Sequence, residues 1–190
     1  MCFSPSQILG KWDEGYVMDY HSKHSEIIGE DAFGHFIYNT ERTTLGELVF
    51  QLKYRNNYPC AEEIINIIGD FILDIWEDKV NYILPIPPTK NREVQPVFLI
   101  AELLAKLLDC NTSTDVLSKT NDVQSKNLCD KSQLSGTIVQ NRFSNRKIDI
   151  LLVDDLYSSG TTANECVSIL RHDPNIGKIY YLAITKTKSR

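Results

Sequence analysis

Residues 150–153, Ile-Leu-Leu-Val, place four aliphatic side chains in a row, and the run ends on two adjacent carboxylates, Asp154 and Asp155. Successive side chains of a strand point to opposite faces, so an unbroken apolar run needs cover on both sides. Residues 80–87 (VNYILPIP) and 177–185 (GKIYYLAIT) have the same character, and residues 113–118 (STDVLS) form a weaker strand signal. Between them lie stripes at helical spacing: Val97, Ile100, Ala101, Leu104 and Leu108 near 92–108, and Ala163, Cys166, Val167 and Leu170 after the carboxylates. Apolar runs alternating with amphipathic helices predict an α/β fold with a mostly parallel central sheet flanked by helices.

The N-terminal part reads differently. Residues 15–20 and 35–38 are short β pieces separated by polar and glycine-containing turns. Leu45, Leu48, Val49 and Leu52 then mark a helix over 44–55, and Ile64, Ile68, Phe71, Ile72 and Ile75 one over 60–76. This organisation predicts a small irregular hood with a β extension and the first helix over 1–58, and the α/β core over 59–190, in one compact unit.

The charge is unevenly spread: residues 1–78 carry 5 Lys/Arg against 14 Asp/Glu, and residues 79–190 carry 15 against 11. The overall acidity speaks against a nucleic-acid-binding face, while the basic second part suits a small anion. No apolar run reaches the length of a bilayer span, and the N-terminus lacks a secretory pattern. The five cysteines are odd in number and scattered, which fits reduced thiols and a cytoplasmic location and gives no zinc-site spacing. His21, His24 and His35 read as solvated or packed imidazoles, His172 as a cation at a helix end, and Cys166 as core.

Two carboxylates at a strand end are costly to bury without partners, and ligands of open α/β sheets bind beyond the carboxyl ends of the strands. The loop that follows, Ser158-Ser159-Gly160-Thr161-Thr162, leads directly into a helix. Backbone N–H groups at a helix start make an anion site, and the four hydroxyls can donate to phosphate oxygens. A carboxylate pair beside a phosphate cradle suits a ligand with vicinal hydroxyls next to a phosphate, such as a ribose 5-phosphate.

These residues, ILLVDDLYSSGTT (150–162), resemble the phosphoribosyl pyrophosphate (PRPP) binding motif of type I phosphoribosyltransferases, with Tyr157 where an aliphatic residue is usual. Residues 44–58 (TLGELVFQLKYRNNY), 83–105 (ILPIPPTKNREVQPVFLIAELLA) and 147–171 are similar to segments of the ComF branch of that family, so the resemblance extends over the chain after about residue 40. Two departures stand out. Cys2 and Cys60 cannot make the zinc ribbon with which ComF proteins usually begin. The usual Arg-Gly-Phe-Asn-Gln run is replaced by Pro96-Val97-Phe98-Leu99-Ile100. A role in DNA uptake is therefore not carried over.

The resemblance implies a fold, a chemistry and a set of residues. Asp154 and Asp155 hold the ribose hydroxyls and favour the positive charge that develops at C1′, and residues 158–162 hold the 5-phosphate. Pro87, Pro88, Thr89, Lys90 and Arg92 form the pyrophosphate loop, in which family members often hold a cis peptide. The polar stretch 119–137 is a lid that brings Lys119, Lys126 and Lys131 to the diphosphate. Mg²⁺ is the implied cofactor, near Asp154 and Asp155 through PRPP and water. The reaction transfers ribose 5-phosphate from PRPP to a nitrogenous acceptor recognised by the hood, with release of pyrophosphate. The alternative is a non-catalytic sensor of PRPP or a nucleotide within a DNA-uptake, DNA-processing or defence assembly. The implied partners are small molecules, with a homodimer or an operon-encoded protein compatible with either case.

Overall fold

The computed structural model describes residues 3–90, 92–120 and 137–188. Its centre is a six-stranded sheet of β1 (Ser6–Gln7), β2 (Glu14–Tyr20), β5 (Tyr82–Pro85), β6 (Asn111–Thr112), β9 (Ile148–Tyr157) and β10 (Ile176–Lys186), in the order β1-β2-β10-β9-β5-β6. Every pairing in it is parallel except that of β1 with β2. The mostly parallel α/β architecture expected from the sequence is the one observed.

Alternation along β9 divides the core into two layers. Leu151 and Val153 pack with Ile83 and Leu182 against α1 (Thr44–Tyr54), α2 (Cys60–Trp76) and α3 (Pro96–Leu107). Ile150 and Leu152 face the other way, with Tyr181 and Ala183, against Cys166, Val167 and Leu170 of α4 (Thr161–Leu170). The helices form because each presents an apolar stripe at three- and four-residue spacing to one of these faces. Trp76, Ile68, Ile72 and Leu104 are fully enclosed, each contributing roughly 1.5–3 kcal/mol of burial.

The N-terminal region is built differently from the sequence expectation. Residues 14–20 are a strand of the central sheet, with Val17 opposite Ala183 and Asp19 opposite Thr185 of β10. Leu45, Val49 and Leu52 of α1 lie in the same buried layer as α2 and α3. What stands apart is a hairpin of β3 (Ser22–Glu30) and β4 (Phe36–Arg42), which pairs with itself alone among the described strands. The sequence shows only part of it, because an exposed hairpin needs no apolar alternation: Ile27, Phe33, Phe36 and Tyr38 are all at the surface. The weak strand signal at 113–118 is met only at its end: β6 stops at Thr112, residues 113–116 are not strand, and the short β7 (Leu117–Lys119) pairs antiparallel with β8 (Ile138–Gln140). No helix among the described residues is long and apolar enough to cross a membrane.

Candidate functional site

At the carboxyl ends of β5 and β9 a cavity of about 320 Å³ opens between the loop after β5 and the end of α1. It gathers Pro87, Pro88, Thr89, Lys90 and Arg92 with Asp154, Asp155, Lys119 and Thr162. Lys53, Lys90, Arg92 and Lys119 set four cations against two carboxylates there, a balance that favours an anion. A second hollow of about 640 Å³ adjoins it, sharing residues 87–90, Lys119 and Thr162 and adding Thr161 and Glu165. Lys126 and Lys131, expected in the lid, lie outside the described residues.

The two carboxylates are not a single pair facing one way. β9 continues to Tyr157, because Thr185 and Lys186 of β10 go on pairing with Leu156 and Tyr157. Asp154 and Asp155 are thus strand residues and point to opposite faces of the sheet. Asp154, on the α4 side, accepts from the Tyr181 hydroxyl at 3.2 Å and from the Leu156 N–H at 3.5 Å. Burial, and then the neighbouring charge of Asp155, push its carboxyl up to about 6. Asp155, on the α1 side, meets the Lys53 ammonium at 3.0 Å from Oδ1 and 2.8 Å from Oδ2.

Lys53 is the site residue that sequence reasoning missed. It reaches Asp155 because α1 is fixed at its start. Thr43 caps the helix, accepting from the Gly46 N–H at 3.0 Å and donating to the Tyr20 carbonyl at 2.6 Å. Gly46 lies so close to the backbone of residue 21 that a Cβ there would overlap the His21 carbonyl. Next to this contact, His21 Nδ1 sits 3.2 Å from Thr185 Oγ1, and that hydroxyl donates to the Asp155 carbonyl at 3.1 Å. Burial, then the charges of Arg42 and Lys53, lower the proton affinity of His21. The imidazole is packed, as expected.

The loop after β9 turns into α4 at Gly160. Gly160 is buried with φ +72°, in the left-handed region, and starts α4 with no side chain capping the first turn. A Cβ at Gly160 would lie 2.8 Å from a ring carbon of Tyr157, so the tyrosine occupies space that any larger residue would need. Ser159 and Thr161 bond to one another, 2.9 Å between hydroxyl oxygens, while Ser158, Ser159 and Thr161 are exposed. Only Thr162 of the five predicted loop residues lines the 320 Å³ cavity; Thr161 lines the adjoining hollow.

The loop after β5 is held from both ends. Ile86 and Pro87 are buried, Lys119 Nζ donates to Thr89 Oγ1 at 2.8 Å, and Gln95 Nε2 donates to the Lys90 carbonyl at 2.9 Å. All peptide bonds of the described residues are trans, so these contacts, and not a cis bond, shape the loop. No group of three or more His, Cys, Asp or Glu that could cage a metal occurs among the described residues. Asp154 and Asp155 are hard oxygen donors of the kind Mg²⁺ takes, but they face opposite sides of the sheet and Asp155 is already met by the Lys53 ammonium.

No family model matches the sequence. The competence protein ComFC of Bacillus subtilis (strain 168) is 31% identical over 128 residues, covering 65% of this chain and 52% of the relative. The chain thus spans about half the length of the curated relative it matches. Adenine phosphoribosyltransferase from Trypanosoma brucei, in complex with AMP, pyrophosphate and ribose-5-phosphate, superposes with a TM-score of 0.52 at 10% identity, over 98% of this chain and 87% of that one. The enzyme from Saccharomyces cerevisiae gives 0.52 at 13% identity, over 86% and 83%. The chain has the type I phosphoribosyltransferase fold and is similar to ComFC over part of its length. At these identities the solved structures show the fold alone. Segment 96–100 begins α3, and its Pro96, Val97 and Ile100 are buried in the core.

Proposed function

We propose that the cavity binds PRPP with Mg²⁺ and that the chain is a phosphoribosyltransferase acting on a nitrogenous acceptor. One observation carries this reading: the carboxylate pair, Thr162 and four cations share one cavity beyond the carboxyl ends of β5 and β9. Asp154 and Asp155 accept from the ribose hydroxyls, and residues 158–162 take the 5-phosphate, a remote group whose binding positions the reacting carbon. Lys90, Arg92 and Lys119 meet the departing diphosphate, Arg through a planar fork and Lys as a compact charge. Positive charge developing at C1′ is favoured by the carboxylates. Mg²⁺, when bound, supplies neutralising charge on the diphosphate.

A second reading, a ComF-like module that binds PRPP or a nucleotide without turning it over, is favoured by residues 96–100. That segment is apolar and three of its five residues are spent on the core. The two readings share the ligand and part at pyrophosphate release. The variant Asp154→Asn with Asp155→Asn tests both: PRPP affinity in Mg²⁺ buffer is lost, and retention of wild-type affinity rejects the ribose subsite. Lys90→Ala weakens pyrophosphate binding, and an unchanged affinity removes the loop after β5 from the site.

A further inference from the structure

Asp154 and Asp155 are neighbours in sequence with different company. Asp154 has a hydroxyl and a backbone N–H, both neutral donors. Asp155 has an ammonium on both oxygens, and the pair is largely enclosed, with Lys53 21% and Asp155 14% exposed. On the α1 side, Arg42 pairs with Glu47 at 3.4 Å, and His21 has its proton affinity lowered. Among the described residues, Lys53 is the cation in direct contact with this motif carboxylate. A buried ion pair adds little to stability, because removing both ions from water offsets most of their attraction. Its position at the wall of the cavity suggests a use in binding.

We propose that Lys53 is the resident cation of the ribose subsite, a positioning residue that holds the Asp155 carboxylate fixed for the sugar hydroxyls. The inference rests on the sugar-phosphate reading above and assigns its charges. Each carboxylate oxygen has two lone-pair directions. One contact from Nζ to each oxygen leaves an acceptor position on each for a hydroxyl. A divalent ion placed on the same carboxylate would lie within a few ångströms of the ammonium and be repelled by it. The ribose hydroxyls thus meet Asp155 directly, and the metal belongs with the diphosphate near Lys90 and Arg92.

This division has a consequence for ligands. Ribose 5-phosphate carries the hydroxyls and the 5-phosphate without the diphosphate, so it binds equally well with Mg²⁺ and with EDTA. PRPP needs the metal.

The test is calorimetric titration of the full chain with ribose 5-phosphate, in EDTA and in Mg²⁺, for wild type, Lys53→Gln and Lys53→Arg. Wild type shows the same affinity in both buffers. Lys53→Gln loses about tenfold in EDTA, the size of one charged hydrogen bond, and Lys53→Arg stays closer to wild type. Ribose 5-phosphate affinity that rises tenfold with Mg²⁺ in wild type, or a Lys53→Gln protein that binds as wild type in EDTA, overturns the role of Lys53. Should Lys53→Gln fail to fold, the wild-type comparison alone decides. Folded wild type that binds neither ribose 5-phosphate nor PRPP in any buffer rejects the sugar-phosphate reading itself, a result distinct from the other two.

Discussion

The Tyr181 hydroxyl donates to Asp154 Oδ2 at 3.2 Å, and the Tyr181 ring stacks on Trp12 with 4.4 Å between centroids. The first motif carboxylate is thereby tied to the aromatic layer under α4. Burial and the charge of Asp154 raise the Tyr181 hydroxyl well above 10, so it stays a donor throughout the working range.

Asp154 itself titrates near 6 in the folded chain against an ordinary 3.8. The folded state then holds more protons than the unfolded chain between these values, and stability falls as pH rises through that window. The contribution is fully present below about pH 4 and lost above about pH 6. Asp154→Asn keeps the acceptor for Tyr181 and removes the buried charge. It is expected to be more stable than wild type by about 1–2 kcal/mol at pH 7.5, with the difference shrinking below pH 4. Chemical denaturation at a series of pH values checks this; a difference independent of pH contradicts it.

Gly160 combines φ +72° with contact to the Tyr157 ring. Gly160→Ala is expected to cost about 1–3 kcal/mol from the backbone and the overlap together. Adding Tyr157→Leu recovers the overlap part and leaves the positive-φ part. Thermal melts of the single and double variants measure both; full recovery in the double variant would deny the backbone contribution.

Cys166 is fully buried under α4, and burial pushes its thiol up to about 12. Thiolate is the reactive form. Alkylation at pH 8 followed by peptide mass analysis is expected to leave Cys166 unmodified until the chain unfolds. Labelling at the same rate as the half-exposed Cys110 would show that α4 opens freely.

The hairpin of β3 and β4 pairs with no other described strand, and a lone two-stranded hairpin is marginally stable in water. Its amides are expected to exchange with solvent far faster than those of β9 and β10. Equal protection, read by hydrogen-exchange mass spectrometry, would mean that something covers it.

What the sequence reveals and hides follows from how far each cause lies along the chain. The four aliphatics before Asp154 announce a buried parallel strand, and the stripes over 60–76 and 92–108 announce helices, because each pattern is local. The end of β9 is not local: Thr185 and Lys186, some 30 residues on, extend the strand past the carboxylates and send Asp154 and Asp155 to opposite faces. Lys53 was hidden for the same reason, since its partner is 102 residues away. Residues 14–20 read as an irregular addition because only β10, at the other end of the chain, makes them part of the central sheet. The clustering of the predicted Lys90, Arg92, Asp154, Asp155 and Thr162 was legible through resemblance, while the faces they present were not.

The central claim is that this cavity takes PRPP. Calorimetric titration of the purified chain with PRPP, with and without Mg²⁺, tests it most directly. The account predicts binding that depends on Mg²⁺ and is abolished by Asp154→Asn with Asp155→Asn. No binding by folded protein in either buffer would contradict it.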